Sequence, residues 1–300
     1  MITVFGSCGL DLIANVPRLP APGETVLGGV FGMSPGGKGA NQAMAVKRSG
    51  RDVRFAGAVG NDDFAARALE LLKAEGVDLE ATKIAEGEAT QIASIFVDAH
   101  GENVIAVLPG ANATLTAADA DKALAGLPAG SIVMMQQEIT QAATARALDV
   151  ARQNGLVSIL NTAPFLPDTP SMAHKASILV ANETEFALLC GGQTEPLDDL
   201  MQAWAKDNNQ TVIVTLGPEG ARAATPDGLL SVPALKVTPV DTVGAGDTFC
   251  GYLAAGLDEG LGLEAAMHRA AAAASLACLK PGAQPAVPTI AEVEAALIPA

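Results

Sequence analysis

Short apolar runs alternate with stretches of helical period along most of the chain. Ile2–Phe5, Val53–Val59, Ser131–Met135, Val157–Leu160, Ile178–Val180 and Val212–Leu216 read as strands. Helical patterns follow at Ala40–Ser49, Phe64–Glu75, Gln141–Asn154, Thr184–Cys190, Leu197–Lys206, Ala245–Leu257 and Leu263–Leu279. Such alternation predicts an α/β fold, a mostly parallel sheet with helices on both faces.

Two regions break the alternation. Ile13–Met33 holds Leu19-Pro20-Ala21-Pro22-Gly23-Glu24 and then the apolar Thr25–Val30. Thr90–Val107 reads as two strands around Asp98-Ala99-His100-Gly101, a hairpin signal. Both are placed outside the main sheet, as a small β-sheet lid of segments 13–33 and 90–107. No repeat or long linker interrupts the chain, so residues 1–300 read as one domain.

Composition sharpens this picture. Hydrophobic residues make up 49% of the chain but aromatics only 3%, so the core must be Ala, Val, Leu and Ile between strands and helices. A formal net charge of −15 argues against nucleic acid and against an anionic membrane surface as partners. A nucleotide is still compatible, because backbone N–H groups, helix N-termini and Mg²⁺ can hold its phosphates. Cys8, Cys190, Cys250 and Cys278 are scattered without a C-x-x-C pair and are expected to be buried free thiols, as in the cytosol. No signal peptide or bilayer-length apolar segment is seen, so a cytoplasmic, soluble protein is expected.

The strongest local signal is Asp241-Thr242-Val243-Gly244-Ala245-Gly246-Asp247-Thr248-Phe249. Gly244 and Gly246 let a backbone approach a ligand, and the helix start behind them offers free N–H groups, an anion hole for a transferring phosphoryl group. Asp247 beside that hole is either a general base or a simple helix-start acid. Pro35-Gly36-Gly37-Lys38-Gly39-Ala40-Asn41-Gln42 is not a P-loop; its glycines expose N–H groups, and Lys38 and Asn41 add donors suited to a polyol. Asp11, in Gly6-Ser7-Cys8-Gly9-Leu10-Asp11, and Glu138 follow strands, where α/β sheets bind ligands; each is a sugar-hydroxyl acceptor or an ordinary turn or helix-start acid. Asn182 and Glu185 suit either a hydrated Mg²⁺ or a capping box. Thr215, Gly217 and Gly220 lie in a loop that would seat a nucleotide, or serve as a plain glycine turn. His100, His174 and His268 form no metal-binding spacing, and no G-x-S-x-G elbow occurs.

In this order, the motifs resemble those of the ribokinase-like carbohydrate kinases. The resemblance runs from Val4 to Pro288, and Leu19–Thr25, Glu102-Asn103-Val104-Ile105 and Gly282-Ala283-Gln284-Pro285 are similar to its ribokinase branch. It implies a three-layer α/β/α domain with a β-lid, two lids clasping into a homodimer, and ATP-dependent phosphorylation of ribose. Asp247 would be the base on the sugar O5, with the Gly244, Ala245 and Gly246 backbone as anion hole. Gly9, Asp11, Gly37, Lys38, Gly39, Asn41 and Glu138 would surround the sugar. Asn182, Thr215, Gly217, Gly220 and Gly246 would meet ATP, and Glu185 would organise Mg²⁺ through water. Carbonyls of Asp241, Val243, Ala277, Lys280 and Gly282, with Ala286 nearby, would cage K⁺.

Three positions depart from the family pattern. Gly9 replaces an Asn that often reaches the sugar, which suggests space there for water, a neighbouring lid residue or a bulkier substrate. Ala271 replaces a polar residue beside the adenine, and Asn161-Thr162-Ala163-Pro164 replaces Asn-Pro-Ala-Pro. A nucleoside kinase of the same family would share every motif but need a more apolar pocket, and a non-catalytic sugar-binding protein would have no use for Asp247.

Overall fold

The computed structural model describes residues 1–298. Its centre is an eight-stranded sheet in the order Gly228–Val232, Ala221–Thr225, Thr211–Thr215, Ile178–Asn182, Val157–Asn161, Ile132–Met135, Ile2–Phe5, Val53–Ala56. Neighbours from Thr211–Thr215 to Val53–Ala56 are parallel, and the two strands at the opposite edge are antiparallel.

Side chains alternate across a strand, and this alternation builds two cores. Ile2, Val4, Ile132, Met134, Ile159 and Ile213 pack on one face with helices Lys38–Arg48, Ala245–Glu259 and Leu263–Ala277. Phe5, Val133, Met135, Leu160, Val212 and Val214 pack on the other with Ala117–Leu124 and Gln141–Gln153. Strands buried on both faces read as unbroken apolar runs, which is why the sequence exposes them so clearly. The three-layer expectation is met.

A separate four-stranded sheet forms the lid, in the order Phe31–Gly36, Gly9–Asn15, Gln91–Val97, Asn103–Leu108. It starts earlier than expected, at Gly9 rather than Ile13, and continues to Gly36 rather than Met33. Thr25–Val30 is not a strand. Gly28 and Gly29 close a turn onto Asn15, whose carbonyl accepts the Gly29 N–H at 2.8 Å, and Leu27 is 87% exposed with nothing to pack on.

Three further expectations are corrected. Val53–Val59 is not one strand: a Cβ on Gly57 would lie 2.5 Å from the Phe55 ring and 2.6 Å from the Gly6 carbonyl oxygen. The chain leaves the main sheet there, and Ala58–Gly60 pairs with Lys83–Ala85 in a small sheet of its own. Phe64–Glu75 divides into helices Asp63–Ala68 and Glu70–Ala74. Only Cys8 and Cys250 are buried; Cys190 and Cys278 are partly exposed, all four being free thiols.

Candidate active site

The ends of the central strands, the lid and the start of helix Ala245–Glu259 converge on one region. Gly244 caps that helix in the left-handed region, φ 75°, and turns the chain so that Asp247 falls in the first turn. Ala245 N–H is already given to the Thr242 carbonyl at 3.3 Å. Among the described residues, the N–H groups of Gly244, Gly246 and Asp247 have no protein acceptor, so of the expected Gly244–Gly246 set only Ala245 has its donor already engaged.

Asp247 is buried, 6% exposed, and both its oxygens are held. Asn41 Nδ2 donates to Oδ2 at 2.9 Å, and Gln42 Nε2 donates to Oδ1 at 3.1 Å. Gln42 is held in turn, for its Oε1 accepts Gln136 Nε2 at 2.6 Å, and its Nε2 also reaches Asn161 Oδ1 at 3.3 Å. A carboxylate gripped this way cannot rotate. Sequence reasoning passed over Gln42 and Gln136; two buried glutamines on otherwise apolar elements were the available signal, since buried amides need partners. Asn41 Oδ1 is buried without an acceptor's partner, and so is free to take a ligand hydroxyl.

The sugar candidates gather beside Asp247. Glu138 accepts Ser7 Oγ at 2.6 Å and Lys38 N–H at 2.9 Å, which ties the first strand, the glycine turn and the end of Ile132–Met135 together. Burial, and then the Glu138 charge, push the Asp11 carboxyl up to about 6. The Asp247 charge is the main cause that raises the Lys38 ammonium above its ordinary value, against the opposing effect of burial. Gly37 takes φ 87° against Cys8, and a Cβ there would come within 2.6 Å of Cys8 Cα. Gly39 is buried under Ser7, to whose Oγ its N–H donates at 3.3 Å. Gly9 does not open space: a Cβ on it would lie 2.8 Å from the Gln91 carbonyl oxygen and 2.9 Å from Gln91 Cβ and Cγ.

Two cavities meet at this point. One of about 220 Å³ is lined by Lys38, Asn161, Asn182, Glu185, Gly244 and Asp247 among others. The second, about 450 Å³, runs past Thr215, Gly217, Gly220, Leu235, Phe249 and Ala271 and is largely apolar, as a slot for a planar base should be. They share Thr215, Thr242 and Gly246. Ala271, 4% exposed, therefore widens the apolar slot.

Asn182 and Glu185 form a capping box: Asn182 Oδ1 accepts Glu185 N–H at 2.8 Å, and Glu185 Oε2 accepts Asn182 N–H at 3.1 Å. Glu185 Oε2 also accepts Thr162 Oγ1 at 2.9 Å, a contact that a proline at 162 could not make. Among the described residues no group of three or more His, Cys, Asp or Glu is placed to hold a metal ion. The other cation candidates lie on two loops joined by Asp241, which accepts Val243 N–H at 3.0 Å and Gly282 N–H at 2.8 Å. Asp241 N–H and Val240 N–H both reach the Cys278 carbonyl, at 3.2 Å and 2.7 Å. This brings Asp241, Val243, Ala277, Lys280, Gly282 and Ala286 into one neighbourhood beside Gly244, which packs on Ala283.

Known proteins resemble this chain over almost its full length. The family described as pfkB family carbohydrate kinase matches residues 1–290. A ribokinase of Bacillus subtilis is 36% identical, over 98% of each chain. A ribokinase crystal structure from Thermotoga maritima superimposes with TM-score 0.90 at 32% identity, covering 99% of both chains. A ribokinase of Arabidopsis thaliana, solved with ribose and ATP, gives TM-score 0.89 at 29% identity, over 99% of this chain and 98% of that one. With a matching family over nearly its whole length and the fold of solved ribokinases, this chain belongs to the pfkB family of carbohydrate kinases.

Proposed function

We propose that this chain transfers the γ-phosphoryl group of ATP to the C5 hydroxyl of D-ribose. The observation that carries the reading is Asp247, buried and held at both oxygens, at the seam between an apolar slot and a polar pocket. Phosphoryl transfer asks a protein for positioning and charge stabilisation more than for covalent chemistry. The adenine enters the slot floored by Ala271, and Gly217 and Gly220 let the nucleotide lie close to the backbone. Ribose hydroxyls pair with Asp11, Lys38, Asn41 and Glu138. Asp247 accepts the proton of the attacking hydroxyl as the oxygen bonds to phosphorus and the ADP oxygen departs. The free N–H groups of Gly246 and Asp247 then stabilise the charge on the transferring group. The test is kcat/KM across pentoses, hexoses and nucleosides: ribose should lead, and any nucleoside or hexose tenfold better would refute the assignment.

Two cations fit the residues present. Asn182 and Glu185 line the same cavity as Asp247 and would suit a Mg²⁺ held mainly by phosphates and water. Mg²⁺ supplies charge neutralisation of the ATP phosphates. The second set is backbone carbonyls on the two loops that Asp241 joins, a hard-oxygen donor set suited to K⁺. Ordering those loops orders Gly244 through its contact with Ala283. Activity should rise with K⁺ and far less with Na⁺; equal rates in Mg²⁺ buffer free of monovalent metal would reject the site.

The Asp11 carboxyl gives a pH signature. Its folded value of about 6 lies above that of an unfolded Asp, so the folded protein binds the extra proton between about 4 and 6. Its contribution to stability is therefore present at low pH and lost as pH rises through about 6. Sugar binding runs the opposite way, because accepting two hydroxyls needs the ionised form. KM for ribose should rise about tenfold per pH unit below about 6. Asp11→Asn should flatten that dependence; a wild-type KM constant from pH 5 to 7 would exclude the role.

The lid supports assembly as a homodimer. Registers Leu12↔Met33, Ala14↔Phe31, Ala14↔Phe96 and Phe96↔Val104 put Met33, Phe31, Phe96 and Val104 on one lid face, all exposed. Such a face is hard to keep in water. A lid-to-lid dimer at micromolar concentration is expected by sedimentation, and Phe96→Asp should yield monomers; a wild-type monomer would refute it. Among the described residues no helix is long and apolar enough to cross a membrane. The net charge of −15 supports small-molecule partners rather than nucleic acid.

A further inference from the structure

We propose that Gln91, on the lid strand beside Gly9, binds a hydroxyl of the pentose through its side-chain N–H and sets the preference for the sugar that carries that hydroxyl. The inference rests on the reading of the chain as a pentose kinase and names a residue of its sugar site that sequence reasoning did not reach.

The lid register places Gly9 between two neighbours, Gly36 on one side and Gln91 on the other. Residues two apart share a face, so positions 9 and 11 look the same way, as do 91 and 93, with Asp11 registered against Ala93. The Asp11 carboxylate lies over Gly36: a Cβ there would be 2.7 Å from Oδ1. Asp11 and Gln91 thus flank a bare floor made of Gly36 and Gly9, with strands about 4.8 Å apart. The volume that a side chain at position 9 would occupy is filled by Gln91, whose Cβ and Cγ lie 2.9 Å from where a Gly9 Cβ would stand.

The orientation of the Gln91 amide is fixed by its neighbours. Cys8 N–H can only donate and Cys8 carbonyl can only accept; Asn112 Oδ1 takes the first at 3.4 Å and Asn112 Nδ2 gives to the second at 2.9 Å. Asn112 Nδ2 also donates to Gln91 at 2.7 Å, so the atom facing Asn112 is Oε1. Gln91 Nε2 is therefore turned away from Asn112. Gln91 is 4% exposed, and among the described residues its Nε2 has no acceptor. That nitrogen is not sealed from solvent, and on the face that carries Asp11 it is open to a hydroxyl of the sugar.

Two sets of variants test the proposal, with D-ribose, 2-deoxy-D-ribose, D-arabinose and D-xylose as probes. Gln91→Met keeps the length and removes the amide. It should lower kcat/KM for ribose about tenfold or more, through KM, and leave KM for ATP unchanged. The loss should shrink to under about threefold for at least one of the other pentoses, the one whose altered hydroxyl Gln91 had bound. An equal loss on all four sugars, or no loss on ribose, overturns the proposal. Because Gln91→Met also frees Asn112, a second set reads the same claim through packing. Gly9→Asn alone should collide with Gln91 and weaken ribose binding, and Gly9→Asn with Gln91→Gly should recover kcat/KM to within about tenfold of wild type. Ribose binding undiminished in Gly9→Asn alone overturns it. Wild-type protein that phosphorylates no pentose removes the underlying reading itself, and is seen before any variant is made.

Discussion

Replacing Asp247 by Asn is expected to lower kcat by about 10²–10⁴-fold while ATP and ribose still bind. Asp247 is the carboxylate in the first turn of helix Ala245–Glu259, and the proposed mechanism has it take the proton of the attacking hydroxyl. Its two oxygens accept from Asn41 and Gln42, and an Asn side chain would present one NH₂ group to one of these donors. That leaves a buried amide unpaired, at a cost of about 1–3 kcal/mol, so the thermal midpoint should fall as well. Loss of turnover through unfolding is distinguished by titration: Asp247→Asn should still bind ribose and ATP within about tenfold of wild type. Wild-type kcat in the variant would remove Asp247 from the chemistry.

The second large effect is expected at Gly244. Its φ of 75° costs a residue with a Cβ about 1–2 kcal/mol. The added atom would also sit 2.8 Å from Ala283 Cβ and 2.9 Å from Ala283 Cα, on the segment proposed to cage K⁺. Gly244→Ala must therefore displace either the helix start or the Gly282–Ala286 loop. Both define where the Gly246 and Asp247 N–H groups point. Loss of an oxyanion-type donor costs about 10²–10³-fold, and a fall of that order in kcat is expected, with KM for ribose little changed. Activity in Gly244→Ala within threefold of wild type would show that the helix start does not need this geometry.

The parts of the fold that the sequence exposes are those governed by local rules. Ile2–Phe5 and Leu197 onward appear where the apolar pattern puts them, because burial on both faces or one face leaves a period that can be read. The antiparallel edge was invisible for a reason of composition: Ala221–Thr225 is Ala-Arg-Ala-Ala-Thr, poor strand material that pairs only because Thr211–Thr215 offers it an edge. Helices Ala117–Leu124 and Ile290–Leu297 carry capping boxes, at Thr116 with Asp119 and at Thr289 with Glu292, and were legible signals left unread. Val53–Val59 looked continuous because the crowding that ends it, Gly57 against Gly6, is a contact between distant segments.

The same division holds in the site. Asp247, Lys38, Asn41 and Asp11 stand within or just after glycine-rich segments whose composition announces close backbone approach. Gln42, Gln136 and Gln91 do not, because an amide becomes informative only when its partners are known. Gly9 shows the limit most plainly. As a sequence position it suggested space to be filled by water, a neighbouring lid residue or a bulkier substrate, and only the lid register shows that a lid residue, Gln91, fills it from a strand more than eighty residues away.

The central claim is phosphoryl transfer from ATP to the C5 hydroxyl of ribose, and product identity tests it most directly. Purified protein with D-ribose, ATP, Mg²⁺ and K⁺ should give a single new sugar phosphate in the ³¹P spectrum. Its phosphorus should couple to the two C5 protons, with ADP formed in equal amount. Phosphate released to water without a sugar ester, or an ester on any other hydroxyl, would contradict the account.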